Sequence, residues 1–223
     1  MPSLHRAFPA AALLASGLAA AAAQAGTITG RVSLVEKGGR PATDASEVVV
    51  WVEGARARPK PAKAVVEMKG KEFRPRVTVV GVGSTVEFPN GDPIFHNAFS
   101  VSGDNRFDLD LYKRPKTGMF TFQHPGIVRV YCNIHPQMSA VVVVRDNPFF
   151  TRANADGSFT LDGVPAGPQV VKVWHERGGE AQAQVTVPAQ GAAPAAALTL
   201  DASSFKRTAH KNKLGKDYSG TDY

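Results

Sequence analysis

At 223 residues, 43% of them hydrophobic and 20% charged, the chain is long enough for one large domain or two small ones, and its composition excludes a disordered or fibrous protein. A single cysteine, Cys132, excludes an internal disulfide. The formal net charge of +7 suits acidic partners or anionic surfaces, yet no recognisable nucleic-acid motif accompanies it.

Residues 1–25 carry Arg6, then an Ala- and Leu-rich run containing Pro9, then Ala23-Gln24-Ala25 before Gly26. A basic start, a short apolar middle and a small-x-small end predict a cleaved secretory signal peptide rather than a membrane anchor. No later segment is apolar enough to span a bilayer. The mature chain is therefore expected to be periplasmic or secreted, in an oxidising compartment where a lone thiol is a liability unless something occupies it. Cys132 could otherwise be a buried, inert small hydrophobe.

Beyond the leader, helical periodicity is almost absent. Alternating or β-branched runs bounded by Gly, Pro, Asn or Asp predict strands over 27–35, 48–53, 77–80, 85–88, 98–101, 119–122, 127–131, 140–145, 158–161, 169–175, 183–187 and 195–200. The last of these runs into an Ala/Pro-rich stretch that supports it poorly. Short strands at this spacing predict an all-β chain of sandwiches or barrels. Pro59-Lys60-Pro61 and Asp146-Asn147-Pro148 read as breaks. They divide the chain into a leader (1–25), a first pair of strands (26–58), a middle domain (59–146), a second group of strands (147–202) and a basic tail (203–223). Lys and Arg concentrate in 56–76 and in the tail, either to steer an acidic partner or simply as solvated faces.

The middle domain carries the chemistry. The strand over 127–131 delivers Cys132, the chain runs Cys132-Asn133-Ile134-His135-Pro136-Gln137-Met138, and a new strand follows. One tight loop thus presents a thiol, an imidazole and a thioether, groups that favour soft or borderline metals. Thiolate and imidazole alone could hold zinc. A methionine adds nothing to zinc but serves a copper site of two His and one Cys as a weak axial ligand. The second histidine that this requires is His96, at a strand-loop junction after Phe88-Pro89-Asn90-Gly91-Asp92.

In these residues the segment 73–144 resembles the cupredoxins, the plastocyanin and amicyanin type of blue copper protein, including those of methylamine utilisation. The resemblance lies in Gly83-x-Thr85-Val86-x-Phe88-x-Asn90, in His96-Asn97, in Pro125-Gly126 and in Tyr131-Cys132-x-x-His135-Pro136-x-Met138. It implies a Greek-key β-sandwich holding one type 1 copper ion, with His96, Cys132 and His135 as equatorial ligands and Met138 as the axial one. It further implies that Asn97 ties the two ligand loops together, and that electrons leave through His135 and a small apolar patch including Pro136. His124, His175 and His210 do not fit the ligand set. The flanks carry Gly30-Arg31-Val32, the Val-rich 48–52 run, Asn154-x-Asp156-Gly157-x-Phe159, Pro165-Ala166-Gly167 and the 171–175 run. Together these resemble the carboxypeptidase regulatory-like β-sandwich, with the cupredoxin inserted into it or docked on it; residues 26–58 could pair with either module. The Asp156-Gly157 pair reads as a hairpin turn better than as half a calcium loop.

The expected function is outer-sphere transfer of single electrons, without enzymatic activity or a small-molecule substrate. A dehydrogenase donor and a cytochrome acceptor follow from the resemblance to amicyanin. A copper storage or delivery protein would use the same residues. A metal-free scaffold or adhesion module would use none of them, and a Cys132/His135 nucleophilic pair would lack any marked oxyanion site.

Overall fold

The computed structural model describes residues 24–193, 197–206 and 208–218, so the expected leader lies outside the described residues except for its last two positions. Every regular element among the described residues is a strand. They are β1 (Ala25–Val35), β2 (Val49–Glu53), β3 (Lys63–Val65), β4 (Glu67–Met68), β5 (Phe73–Arg74), β6 (Val77–Gly81), β7 (Thr85–Pro89), β8 (His96–Ser100) and β9 (Phe107–Tyr112). Then come β10 (Thr117–Thr121), β11 (Gly126–Tyr131), β12 (Ser139–Arg145), β13 (Phe150–Arg152), β14 (Ser158–Pro165), β15 (Gly167–His175), β16 (Gly179–Val187), β17 (Ala192–Ala193) and β18 (Leu198–Asp201). The chain is all-β, and none of its described residues form a helix long and apolar enough to cross a membrane.

Two sandwiches share the chain. In one, the sheet β14-β1-β17, with β18 also on β1, faces the sheet β13-β2-β15-β16 across a core of Val, Leu and Ile residues with Phe159. In the other, the sheet β6-β12-β11-β8-β9 faces β10-β7-β3. That core holds Phe88, Phe122, Tyr112, Cys132 and Met138, and a stacked Phe107–Phe120 pair with centroids 4.4 Å apart packs against it. The strands β1 and β2 share sheets with the strands that follow residue 147, and Trp51 of β2 pairs directly with Phe150 of β13. The second sandwich is thus spliced between two neighbours in a sheet of the first.

The two sandwiches meet on their valine runs. Strand β2 buries Val50 and Val52 in its own core and turns Val49 and Trp51 outward. Strand β12 likewise keeps Val142 and Val144 inside and turns Val141 and Val143 outward. Those outward residues pack with Val77 and Trp174 into a third apolar cluster. This is why both segments read as continuous apolar runs: each strand is covered on both faces. Polar ties rim the seam. Arg76 donates through Nη1 to Glu47 Oε2 at 2.9 Å and through Nη2 to Glu176, and the Arg145 guanidinium stacks 4.4 Å from the Trp51 ring. The second expected break is anchored too: Asn147 is fully buried and donates through Nδ2 to the Val52 carbonyl at 2.9 Å.

No strand is expected from sequence over β3, β4, β5, β9, β13 or β17, and β9 is the longest of these. Phe107-Asp108-Leu109-Asp110-Leu111 alternates as a strand should, but aspartate is poor in strands and Asp110 has a positive φ of 55°. The pairing explains it. Asn97 opposes Leu111 but Phe99 opposes Asp108, so β9 carries one extra residue in a bulge beside the histidine strand. The expected strand over 195–200 is observed from Leu198; residues 194–196 lie outside the described residues.

Candidate metal centre

Strand β8 carries His96 at its first position, fully buried. The loop before it is organised by Asn90, whose Nδ2 donates to the Ile94 carbonyl at 2.9 Å and the Tyr112 carbonyl at 3.0 Å, while its Oδ1 accepts from the Asp92 N–H at 2.9 Å. The Gly91 N–H donates to the Met68 carbonyl at 2.9 Å and ties the loop to the β4–β5 hairpin. Strand β11 ends at Tyr131 and hands over to Cys132. The loop that follows is closed at both ends: the Met138 N–H donates to the His135 carbonyl at 3.0 Å, and the Cys132 N–H donates to the Met138 carbonyl at 3.2 Å.

Folding brings three of the four expected ligands together: Nδ1 or Nε2 of His96 and His135 and Sγ of Cys132 lie within 4.8 Å of one another, in the one such His/Cys/Asp/Glu group among the described residues. His96 Nδ1 lies 3.1 Å from His135 Nδ1, and Cys132 Sγ lies 3.7 Å from His135 Nδ1. Atoms that share one ion at about 2.0–2.3 Å each stand roughly 3–4 Å apart, so both separations fit a common ion. Met138 is fully buried in the same core as Cys132. Pro136 and Gln137 are exposed beside the half-buried His135, on the rim of an open cleft of about 970 Å³ whose walls include Arg76, Arg129, Glu47 and Glu176.

Burial dominates the electrostatics of the two loop ligands. Burial pushes the Cys132 thiol up, against the N–H groups of Ile134, Asn97 and His135, which favour the thiolate. Burial, with His96 and Lys71 nearby, pushes His135 below its ordinary value and keeps the imidazole neutral, as a ligand must be. Asn97 bridges the two ligand segments: its Oδ1 accepts from the Asn133 N–H at 3.2 Å, and its Nδ2 donates to Asp108 Oδ1 at 2.8 Å and to the Asp110 carbonyl at 3.0 Å. The bulge in β9 supplies both of those acceptors.

Two features were not anticipated. Asp92 Oδ2 lies 2.8 Å from His96 Nε2. Burial raises the carboxyl pKa, but the N–H groups of Lys71 and Gly70 and the His96 imidazole outweigh it and bring it down to about 2. In sequence, Asp92 reads only as a turn residue. The tail is the other surprise. It lies across the cysteine loop: the Lys213 N–H donates to Asn133 Oδ1 at 2.9 Å, Lys213 Nζ meets Asp108 at 2.6 Å, and the Tyr218 hydroxyl donates to the Cys132 carbonyl at 2.8 Å. His210 stacks on Tyr131, with centroids 4.0 Å apart. Basic residues separated by eighty positions from their partners give no local signal of such a strap. His175 is buried at the seam between the sandwiches, and His124 engages Asn105 through its backbone. His5 lies outside the described residues.

No family model matches the chain, and no curated protein does. Among solved structures it is similar to a Cu-containing nitrite reductase from Thermus scotoductus SA-01, at 32% identity over 41% of this chain and 24% of that one, with a TM-score of 0.36. This chain thus spans about a quarter of the reductase's length. It is also similar to a purple cupredoxin from Nitrosopumilus maritimus (21% identity, 37% of this chain, 99% of that one, TM-score 0.33). An amicyanin variant in its reduced state shares 28% identity over 37% of this chain and 82% of that one, with a TM-score of 0.35.

Proposed function

We propose that this chain holds one type 1 copper ion on His96, Cys132 and His135, with Met138 as the weak axial ligand, and carries single electrons between redox proteins outside the cytoplasm. The observation that carries this reading is the convergence of two Nδ1 atoms and one Sγ beside a buried methionine, in a loop closed by its own backbone. The methionine favours copper over zinc. A copper ion held there would supply a one-electron couple. The protein's part is to keep the ligands fixed between the two oxidation states, so that little reorganises. Asn97 holds the His96 strand to the cysteine loop, and Cys132 would be held as the thiolate, its proton released to solvent on metal binding. Burial of His96 and Cys132 favours lasting retention over ready exchange of the metal, and thus a carrier over a delivery protein.

Electrons would pass through His135, beside exposed Pro136, to a donor such as a dehydrogenase and an acceptor such as a cytochrome. The charged cleft beside Pro136 presents both signs, so a partner needs complementary rather than uniformly acidic charge. The flanking sandwich, read as carboxypeptidase regulatory-like, serves as a scaffold, and a leader over 1–25 would direct export. The test is addition of copper(II) to the purified mature protein, followed by visible and EPR spectra and a chelator challenge. A thiolate-to-copper band with narrow hyperfine splitting and slow loss to chelator is expected. A colourless protein with an ordinary copper EPR signal would overturn the proposal.

A further inference from the structure

The geometry points to Asp92 as a positioning residue that sets the tautomer of His96 and lowers the reduction potential of the site; this rests on the copper reading above. The carboxylate is itself held from three sides. Its Oδ1 accepts the Gly70 N–H at 2.9 Å, and its Oδ2 accepts the Lys71 N–H at 3.0 Å and faces His96 Nε2 at 2.8 Å. Gly70 and Lys71 form the turn of the β4–β5 hairpin, with φ of 64° and 57°, and the Lys69 N–H closes that turn on the Glu72 carbonyl at 2.9 Å. Positive φ at both central positions belongs to the tight turns that suit a right-twisted hairpin, and here it sends two successive N–H groups to one carboxylate.

A carboxylate beside a ring nitrogen requires that nitrogen to carry the proton. His96 is therefore an Nε2–H imidazole, and the lone pair of Nδ1 is left facing His135 Nδ1 and Cys132. No rotation is open to the ring, because His96 is wholly buried and Asp92 is clamped by backbone. A negative partner on the far nitrogen makes the ligating nitrogen more basic, and a more basic ligand favours the more highly charged metal ion. The effect is a stronger hold on copper(II) relative to copper(I), and so a lower potential. A purely structural Asp92, capping the hairpin turn, would give the same fold without this effect.

Two measurements decide it. In copper-free wild-type protein, long-range proton–nitrogen NMR correlations are expected to show His96 as the Nε2–H tautomer; an Nδ1–H tautomer would overturn the inference whether or not any variant folds. In the copper-loaded protein, Asp92→Asn keeps the shape and removes the charge. A copper(II) affinity lower by about 10- to 100-fold is expected. If copper(I) affinity is unchanged, a tenfold loss corresponds to a potential higher by about 59 mV. An unchanged potential in a blue Asp92→Asn protein would reduce Asp92 to a turn cap. If wild-type protein itself forms no blue centre, the copper reading fails instead, and the NMR result still reports on His96.

Discussion

The two sandwiches are built from the same strand vocabulary and differ in what their cores contain. The flanking core is almost wholly aliphatic, with Phe159 as its one buried aromatic residue. The inserted core mixes aromatic rings with a thiol and a thioether, and the residues at its edge (Asn90, His96, Asn97) are buried polar groups whose hydrogen bonds are made within the protein. A sandwich needs only apolar faces to form; chemistry needs polar atoms placed where water cannot satisfy them, and therefore a supporting set of loops. The difference lies in the loops at one end of one sheet.

The sharpest test of that division is Cys132→Ser. It should abolish the thiolate-to-copper band and weaken copper binding by more than about 100-fold, while circular dichroism and the flanking sandwich stay unchanged. A seam variant asks whether the regions are separate at all. Trp51→Ala removes a buried ring from the third cluster and should cost about 3–5 kcal/mol in denaturant unfolding. Two resolved transitions in that variant against one in the wild type would mean that the seam couples the two sandwiches.

Acid probes the same seam. His175 is held down to about 4 by burial first and by Arg177 and Arg76 next, against Glu176 and Glu36. A histidine with a depressed folded value stabilises fully above its unfolded value of 6.5, and that contribution is lost as pH falls through 4. Stability should fall by up to about 3 kcal/mol across this window, and His175→Gln should flatten that slope in a series of urea melts. The smallest effect expected is that of Asn97→Ala. It strips three hydrogen bonds from the bridge between the ligand segments and should cost about 1–3 kcal/mol, with a shifted and broadened copper EPR signal.

Most strands were legible because their apolar residues alternate or run continuously, and the doubly covered runs at 48–52 and 140–144 marked the seam without naming it. The Cys132-x-x-His135-x-x-Met138 spacing was legible because three groups of matched chemistry fall within one loop. What stayed hidden depends on pairing rather than on pattern. The bulge in β9 is recognisable only once Asn97 has a partner strand, the Asp92 clamp only once two loops twenty residues apart in sequence meet, and the strap only once the tail returns to Asn133 and Cys132.

The splice between Trp51 and Phe150 has a kinetic consequence. Left unfolded, the intervening residues would be a long, floppy tether between two strands that must find each other, and closing such a tether slows assembly. Once the insert has condensed, with β6 and β12 side by side, it becomes a rigid spacer that delivers both strands in register. Host assembly should therefore trail the insert's, and if the two sandwiches unfold as one body, a tight ligand of the insert should also stabilise distant strands such as β16.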